Sequence, residues 1–153
     1  MTTLAKPSTT KCTKMTKLFV DTSGWASFFN SKEPTHKQAS QILMTAYRDR
    51  YTVVTSNYIL AELVSLLHSP LRISRPTIFA IVDTIKSTPY VDIVHIDLAI
   101  DSDAWDLCKS RIDKAWSLVD CSSFVIMQQH NIQQALTTDH HFEQAGFIRL
   151  VNT

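Results

Sequence analysis

A chain of 153 residues, 44% hydrophobic and 19% charged, carries apolar material for one well-cored domain and is too short for two. Lys and Arg exceed Asp and Glu by only 15 to 14, so no global field draws the protein onto nucleic acid or an anionic membrane, and any such contact must come from a local patch. No apolar run approaches the ~20 residues that span a bilayer and no signal segment opens the chain, which predicts a soluble, cytoplasmic protein. Cys12, Cys108 and Cys121 are odd in number and lack the spacing of a zinc site or redox pair; this fits a reducing compartment, with Cys108 and Cys121 as core thiols.

Residues 1–16, MTTLAKPSTTKCTKMT, are Thr-rich, contain Lys but no acid, and hold almost no apolar side chains. Such a stretch buries too little surface to offset its ordering entropy, so a loose tail is expected there, followed by a folded domain over 17–153. Met15 directly precedes the first strand-like run, which leaves both Met1 and Met15 open as the start of translation.

KLFVD then reads as a short strand and TSGWASFFN as a helix spaced through Trp25, Phe28 and Phe29; Pro34 opens a second helix, THKQASQILMTAYRDR. YTVVTS is the next strand and runs straight into the helix NYILAELVSLLHS, and RPTIFAIVDTIKS is a further helix with Pro76 in its first turn. VDIVHI supplies a third strand, DLAIDSDAWDLCKSRI and SLVDCSSFVIMQQH the next two helices, and QALTTD and FIRLV short strands around the helical turn HHFEQAG. Strands alternating with helices predict an α/β fold: a three-layer α/β/α sandwich around a mainly parallel sheet of about five short strands.

Four acids stand out on that frame. Asp120 lies in an apolar helical stretch between Val119 and Cys121, where an unpaired buried carboxylate would cost several kcal/mol. Asp21 closes KLFVD and Asp139 closes QALTTD, and ligands of an open parallel sheet bind beyond the carboxyl ends of its strands. Glu62 sits in the second turn of the helix after YTVVTS, with Tyr58, Ile59, Ser65 and Leu66 around it, so it is expected to face an apolar stripe. Each acid has a plainer role available: Asp21, Asp120 and Asp139 as helix caps, and Glu62 as a partner of Arg72 or Arg75. Four carboxylates from four segments at one sheet end favour a shared purpose, and oxygen donors with no His or Cys among them suit a hard ion, Mg²⁺ or Mn²⁺. The remaining acids read as caps or solvated helix faces.

The segments FVDTSGW, NYILAEL, WSLVDCSSF and ALTTDHHFEQAGF, in this order and spacing, resemble the motifs of PIN-domain ribonucleases, particularly the compact VapC-like toxins of type II toxin–antitoxin systems. The likeness runs from about Lys17 to Val151. It implies that Asp21, Glu62, Asp120 and Asp139 form the acidic quartet, as catalytic residues and metal ligands, with Thr22, Ser23, Ser122 and Ser123 as supporting hydroxyls. Many members carry Thr just before the third acid, where this chain has Val119. The activity implied is metal-dependent endonucleolytic hydrolysis of single-stranded RNA, leaving 5′-phosphate and 3′-hydroxyl ends. A homodimer and a small inhibitory antitoxin are implied as well.

RNA would be gripped by local charge, with Lys109, Arg111 and Lys114 ahead of Asp120 and His68, Arg72 and Arg75 after the Glu62 helix; ordinary solvated helix ends explain these residues equally well. His140 and His141 read as cap or surface residues. Trp25, Trp105 and Trp116 read chiefly as core or interface, with base stacking a further role open to Trp116. Ile78, Phe79, Ile81, Val82 and Ile85 offer more apolar surface than one narrow stripe needs, as a dimer face would; ASFFN and QILMTAY offer the apolar helix faces that the antitoxin implied by the resemblance would take. Two other classes remain open: a catalytically silent PIN fold acting as an RNA-binding or protein-interaction module, and a phosphatase with a strand-end Asp nucleophile, for which Ser23 stands where a second Asp is usual.

Overall fold

The computed structural model describes residues 16–153; the expected tail and the two start codons lie outside the described residues, apart from Thr16. The Thr16 carbonyl accepts the Thr52 N–H at 3.0 Å, so the sheet's contacts begin one residue before the expected boundary.

The elements in chain order are β1 Lys17–Val20, α1 Thr22–Phe29, α2 His36–Arg48, β2 Thr52–Ser56, α3 Asn57–His68, α4 Arg75–Ser87, β3 Val91–Val94, α5 Leu98–Ser110, α6 Leu118–Gln129, β4 Gln134–Leu136, α7 His141–Gln144 and β5 Ile148–Arg149. All strand pairings are parallel, in the order β3-β2-β1-β4-β5, with Phe19 opposite both Val54 and Ala135. The predicted α/β class, the parallel sheet of five strands and its flanking helices are thus all present. Leu18, Phe19, Val20, Val53, Val54, Ala135 and Leu136 are at most 1% exposed, the near-continuous burial of strands covered on both faces.

The strand order decides where the site lies. From β1 the chain builds outward to β2 and β3, then crosses back to lay β4 against the other edge of β1. The switch point therefore falls beyond the carboxyl ends of β1 and β4, where an open α/β sheet leaves a crevice. Gly24, in the first turn of α1, makes the approach of these elements possible: a Cβ there would meet the Leu136 carbonyl oxygen at 2.1 Å, so only glycine lets the helix start this close to β4.

Several expectations change in detail. β4 ends at Leu136 and β3 at Val94, so Asp139 follows its strand after two loop residues, Thr137 and Thr138, instead of closing it. The reason is side-chain competition: the Thr137 hydroxyl turns to Asp21 (2.7 Å) and accepts the Asp139 N–H (3.0 Å), and the Asn57 side chain takes the Ile96 N–H (2.8 Å). In α4, Ile78, Ile81 and Ile85 are core, leaving Phe79 (51% exposed) and half-buried Val82 as the apolar surface, less than the sequence suggested for a dimer face. Trp25 and Trp116 are buried, whereas Trp105 is exposed. The Trp116 indole lies edge-on to Phe124, donates to Gln144 Oε1 (3.0 Å) and has the Arg111 guanidinium over its ring, so base stacking is not open to it. Cys121 is buried and Cys108 half-buried. No helix among the described residues is long and apolar enough to cross a membrane.

Candidate active site

Asp21 is the N-cap of α1. Its Oδ1 accepts the Gly24 N–H and the Ser23 hydroxyl, each at 2.8 Å, and its Oδ2 accepts the Thr137 hydroxyl at 2.7 Å. Burial pushes its carboxyl up to about 7; the hydrogen bonds from Thr137, Gly24 and Ser23 work against that rise, and the charge of Asp139 adds to it. A carboxylate with this much desolvation is poised to gain from a cation.

The loop after β4 is laced to the same point. Ser23 Oγ accepts the Thr138 N–H (2.9 Å), and Arg149 on β5 donates to the Thr138 carbonyl (3.0 Å) and to Glu143 (3.0 Å). Asp139 then turns back on itself, its Oδ1 accepting the His141 N–H at 2.9 Å. Its side chain is 30% exposed, so it forms the wetter lip of the cluster.

Asp120 is the third residue of α6 and the acid of a capping box: Ser117 Oγ accepts the Asp120 N–H and Asp120 Oδ2 accepts the Ser117 N–H, both at 3.0 Å. Its side chain is only 16% exposed. Burial, and secondarily the charge of Asp139, raises its pKa, against the Ser117 hydrogen bond and His141. His141 Nδ1 lies 3.3 Å from Asp120 Oδ2 and 3.2 Å from Asp139 Oδ1, so these two acids meet at one imidazole.

Glu62 departs from its expectation. It lies on the exposed side of α3, between buried Ile59 and Leu63, and does not face an apolar stripe; at 100° per residue it falls at the edge of that stripe, where a long side chain reaches out. Its Oε1 accepts the hydroxyl of buried Thr22 at 2.5 Å, which fastens it beside Asp21. Among the described residues neither Arg72 nor Arg75 pairs with it.

Of the supporting hydroxyls, Thr22 and Ser23 touch the acids. Ser122 and Ser123 do not: both are buried and donate to the Val119 carbonyl, at 2.7 and 3.0 Å, as hydroxyls inside a helix commonly do. Among the basic residues, Lys109 pairs with Asp106 (3.6 Å), Arg111 with Asp113 through two bonds (3.0 and 3.1 Å) and Lys114 with Asp113 (3.6 Å). Arg75 lies over the Phe79 ring and Arg72 is exposed. Thr137 and Arg149 were not singled out from the sequence, the hydroxyl-rich run TTD before the last acid being the available signal for the first; His141, expected as a cap or surface residue, instead turns its ring inward, its side chain 19% exposed.

The donor set fits a divalent cation: carboxylates that are desolvated and mutually repelling, with a buried ring nitrogen, His141 Nδ1, that has no hydrogen-bond partner. Asp139, His140 and His141 also present donor atoms within 4.8 Å of one another.

The model of the PIN domain family matches residues 18–148. This chain belongs to the PIN domain family. The match takes in all four acids and every strand except the first residue of β1 and the last of β5. Among curated PIN-type relatives, the 23S rRNA-specific endonuclease VapC20 of Mycobacterium tuberculosis is 29% identical over 133 residues, covering 87% of this chain and 97% of the relative. The crystal structure of the same toxin, described as cleaving the sarcin-ricin loop, superposes with a TM-score of 0.77 at 28% identity over 88% of this chain and 99% of that one. FitAcB from Neisseria gonorrhoeae shares the fold, with a TM-score of 0.60 at 17% identity over 88% of this chain and 96% of that one.

Proposed function

We propose that this protein is a metal-dependent endoribonuclease of the VapC type, acting in the cytoplasm on single-stranded RNA and leaving 5′-phosphate and 3′-hydroxyl ends. The observation that carries the proposal is the linkage of Asp21 to Asp139 through Thr137 and of Glu62 to the same corner through Thr22, together with the approach of Asp120 and Asp139 to one imidazole nitrogen, His141 Nδ1. Asp21, Glu62 and Asp120 are the proposed ligands, with Asp139 as a further ligand or as an acid acting through water. Bound there, Mg²⁺ or Mn²⁺ supplies charge that offsets the phosphodiester and acidifies an attacking water. Thr137 and Ser23 fix both oxygens of Asp21 and hold the Asp139 loop against it, and the capping box fixes Asp120, so the acids are oriented before substrate arrives.

Lys109, Arg111, Lys114, Arg72 and Arg75 are the proposed phosphate contacts. The solvent-facing ion pairs that hold the first three, with Lys114 half-buried, are weak, so each can exchange Asp106 or Asp113 for an RNA phosphate at little cost. The chain is further proposed to form a homodimer and to be held by a small antitoxin. An arginine from that partner would satisfy carboxylates in a bidentate manner, and its amphipathic helix would lie on apolar surface such as the cleft of about 350 Å³ beside α2, lined by Leu18, Ile42, Ala46, Tyr51 and Leu150.

The phosphatase alternative loses its footing at Ser23, which is engaged by Asp21 and the Thr138 N–H and offers no second acid. The test offers the purified protein 23S rRNA, the substrate in VapC20's name, and a small phosphate ester, each with Mg²⁺, Mn²⁺ or chelator. Metal-dependent cleavage of RNA alone, with 5′-phosphate ends, is expected. Hydrolysis of the ester alone would replace the proposal with the phosphatase, and RNA binding without cleavage would replace it with the silent module.

A further inference from the structure

His141 stands between two of the acids. It opens α7, and its backbone N–H is taken by Asp139 Oδ1, which sets its ring beside that acid. Its Nδ1 is buried without a hydrogen-bond partner, although Asp139 Oδ1 is 3.2 Å and Asp120 Oδ2 3.3 Å away. Neither contact has the direction of a hydrogen bond. A nitrogen that close to two carboxylate oxygens and aimed along neither has the relationship of donors that share a third atom.

The spacing agrees. Two donors each ~2.1 Å from one ion lie about 3.0 Å apart at a right angle and about 3.4 Å apart at the tetrahedral angle, and the two observed separations, 3.2 and 3.3 Å, fall between these. His140 does not compete for the place: its side chain is 64% exposed and its Nδ1 stands 3.7 Å from Asp139 Oδ1.

We infer that His141 Nδ1 is a ligand to the ion held by Asp120 and Asp139, making this a mixed nitrogen–oxygen site that selects a first-row transition ion such as Mn²⁺ over Mg²⁺. Mg²⁺ favours oxygen donors and retained waters, whereas imidazole nitrogen strengthens the binding of softer divalent ions. Ligation through Nδ1 places the ring proton on Nε2. The inference rests on the nuclease reading of the same acids but makes a claim about ligand type that cleavage does not.

The test is pulsed electron paramagnetic resonance on the full-length protein loaded with Mn²⁺, with Mn²⁺ and Mg²⁺ affinities measured by titration. Wild type is expected to show modulation from a coordinated ¹⁴N, retained in His140→Ala and lost in His141→Ala. Mn²⁺ binding should weaken about tenfold or more in His141→Ala, and Mg²⁺ binding by less than about threefold. Absence of ¹⁴N coupling in wild type, or its survival in His141→Ala, would overturn the inference; metal-dependent RNA cleavage that Asp120→Asn abolishes would still uphold the nuclease. No Mn²⁺ binding at all would overturn the inference, and absence of metal-dependent cleavage as well would overturn both.

Discussion

Thr137 and Asp21, 116 residues apart in the chain, are joined by a 2.7 Å hydrogen bond from the threonine hydroxyl to Asp21 Oδ2. The same hydroxyl accepts the Asp139 N–H, so one oxygen orients one acid by its side chain and another by its backbone. Thr137→Val keeps the shape and removes both bonds. We expect RNA cleavage to fall about tenfold or more, with a loss of about 1–3 kcal/mol from the donor and acceptors left unpaired. Thr137→Ser should restore most of the activity, which separates the hydroxyl's role from simple packing; steady-state cleavage and urea denaturation measure both.

Asp21 makes the metal-free protein sensitive to pH. Burial pushes its folded-state carboxyl up to about 7 from the ordinary aspartate value of 3.8, so between those values the native state holds a proton that the unfolded chain has released. Stability from this group is complete below about pH 4, declines as pH rises toward 7 and levels above it. Burial raises Asp120 in the same direction. In chelator, urea midpoints should therefore fall from pH 4.5 to 7.5 in wild type and fall less in Asp21→Asn. A midpoint that rises across this window in wild type, relative to the variant, would contradict the assignment of the shift to Asp21.

Asp120→Asn should leave the chelated protein folded and at least as stable. Asparagine keeps an oxygen to accept the Ser117 N–H while removing a desolvated charge that Asp139 repels. Thermal melting in chelator checks this, with a rise of a few degrees expected for a domain of this size. Divalent ions should raise the melting temperature of wild type more than that of the variant.

Gly24→Ala should destabilise the fold severely. Its new methyl would stand 2.1 Å from the Leu136 carbonyl, a backbone atom that cannot step aside, so the cost is at least the ~1–3 kcal/mol of ordinary overpacking. Denaturation midpoints at fixed pH are the measure.

How far the sequence could be read follows from what each feature depends on. Strands, helices and their order were legible because they rest on local periodicity and on punctuation such as Pro76. Asp21 and Asp120 were legible as anomalies, an acid at a strand end and an acid in an apolar run. Cap and site roles stand as alternatives in the sequence, yet Asp21 caps α1, Asp120 completes the capping box that Ser117 opens on α6, and both carboxylates also line the cluster; a carboxylate has lone pairs enough for both. Glu62 was misplaced because an i, i+3, i+4 neighbourhood does not say on which side of the stripe's edge a residue falls. Ser122 and Ser123 looked like support for Asp120 by adjacency, but helical rotation and the nearby Val119 carbonyl decide where their hydroxyls go. Thr137, His141 and Arg149 became functional candidates only through contacts across the switch point, which no local pattern encodes.

The central claim is that one cluster of acids cleaves RNA with a bound divalent ion, and it is met most directly by comparing wild type with Asp120→Asn on the same RNA, with Mn²⁺ or Mg²⁺ and then with chelator. The account predicts cleavage by wild type that stops in chelator, returns on adding the ion and is lowered by about a hundredfold or more in the variant, while both proteins stay folded. Cleavage that persists in chelator, or that the folded Asp120→Asn variant performs as well as wild type, would contradict it.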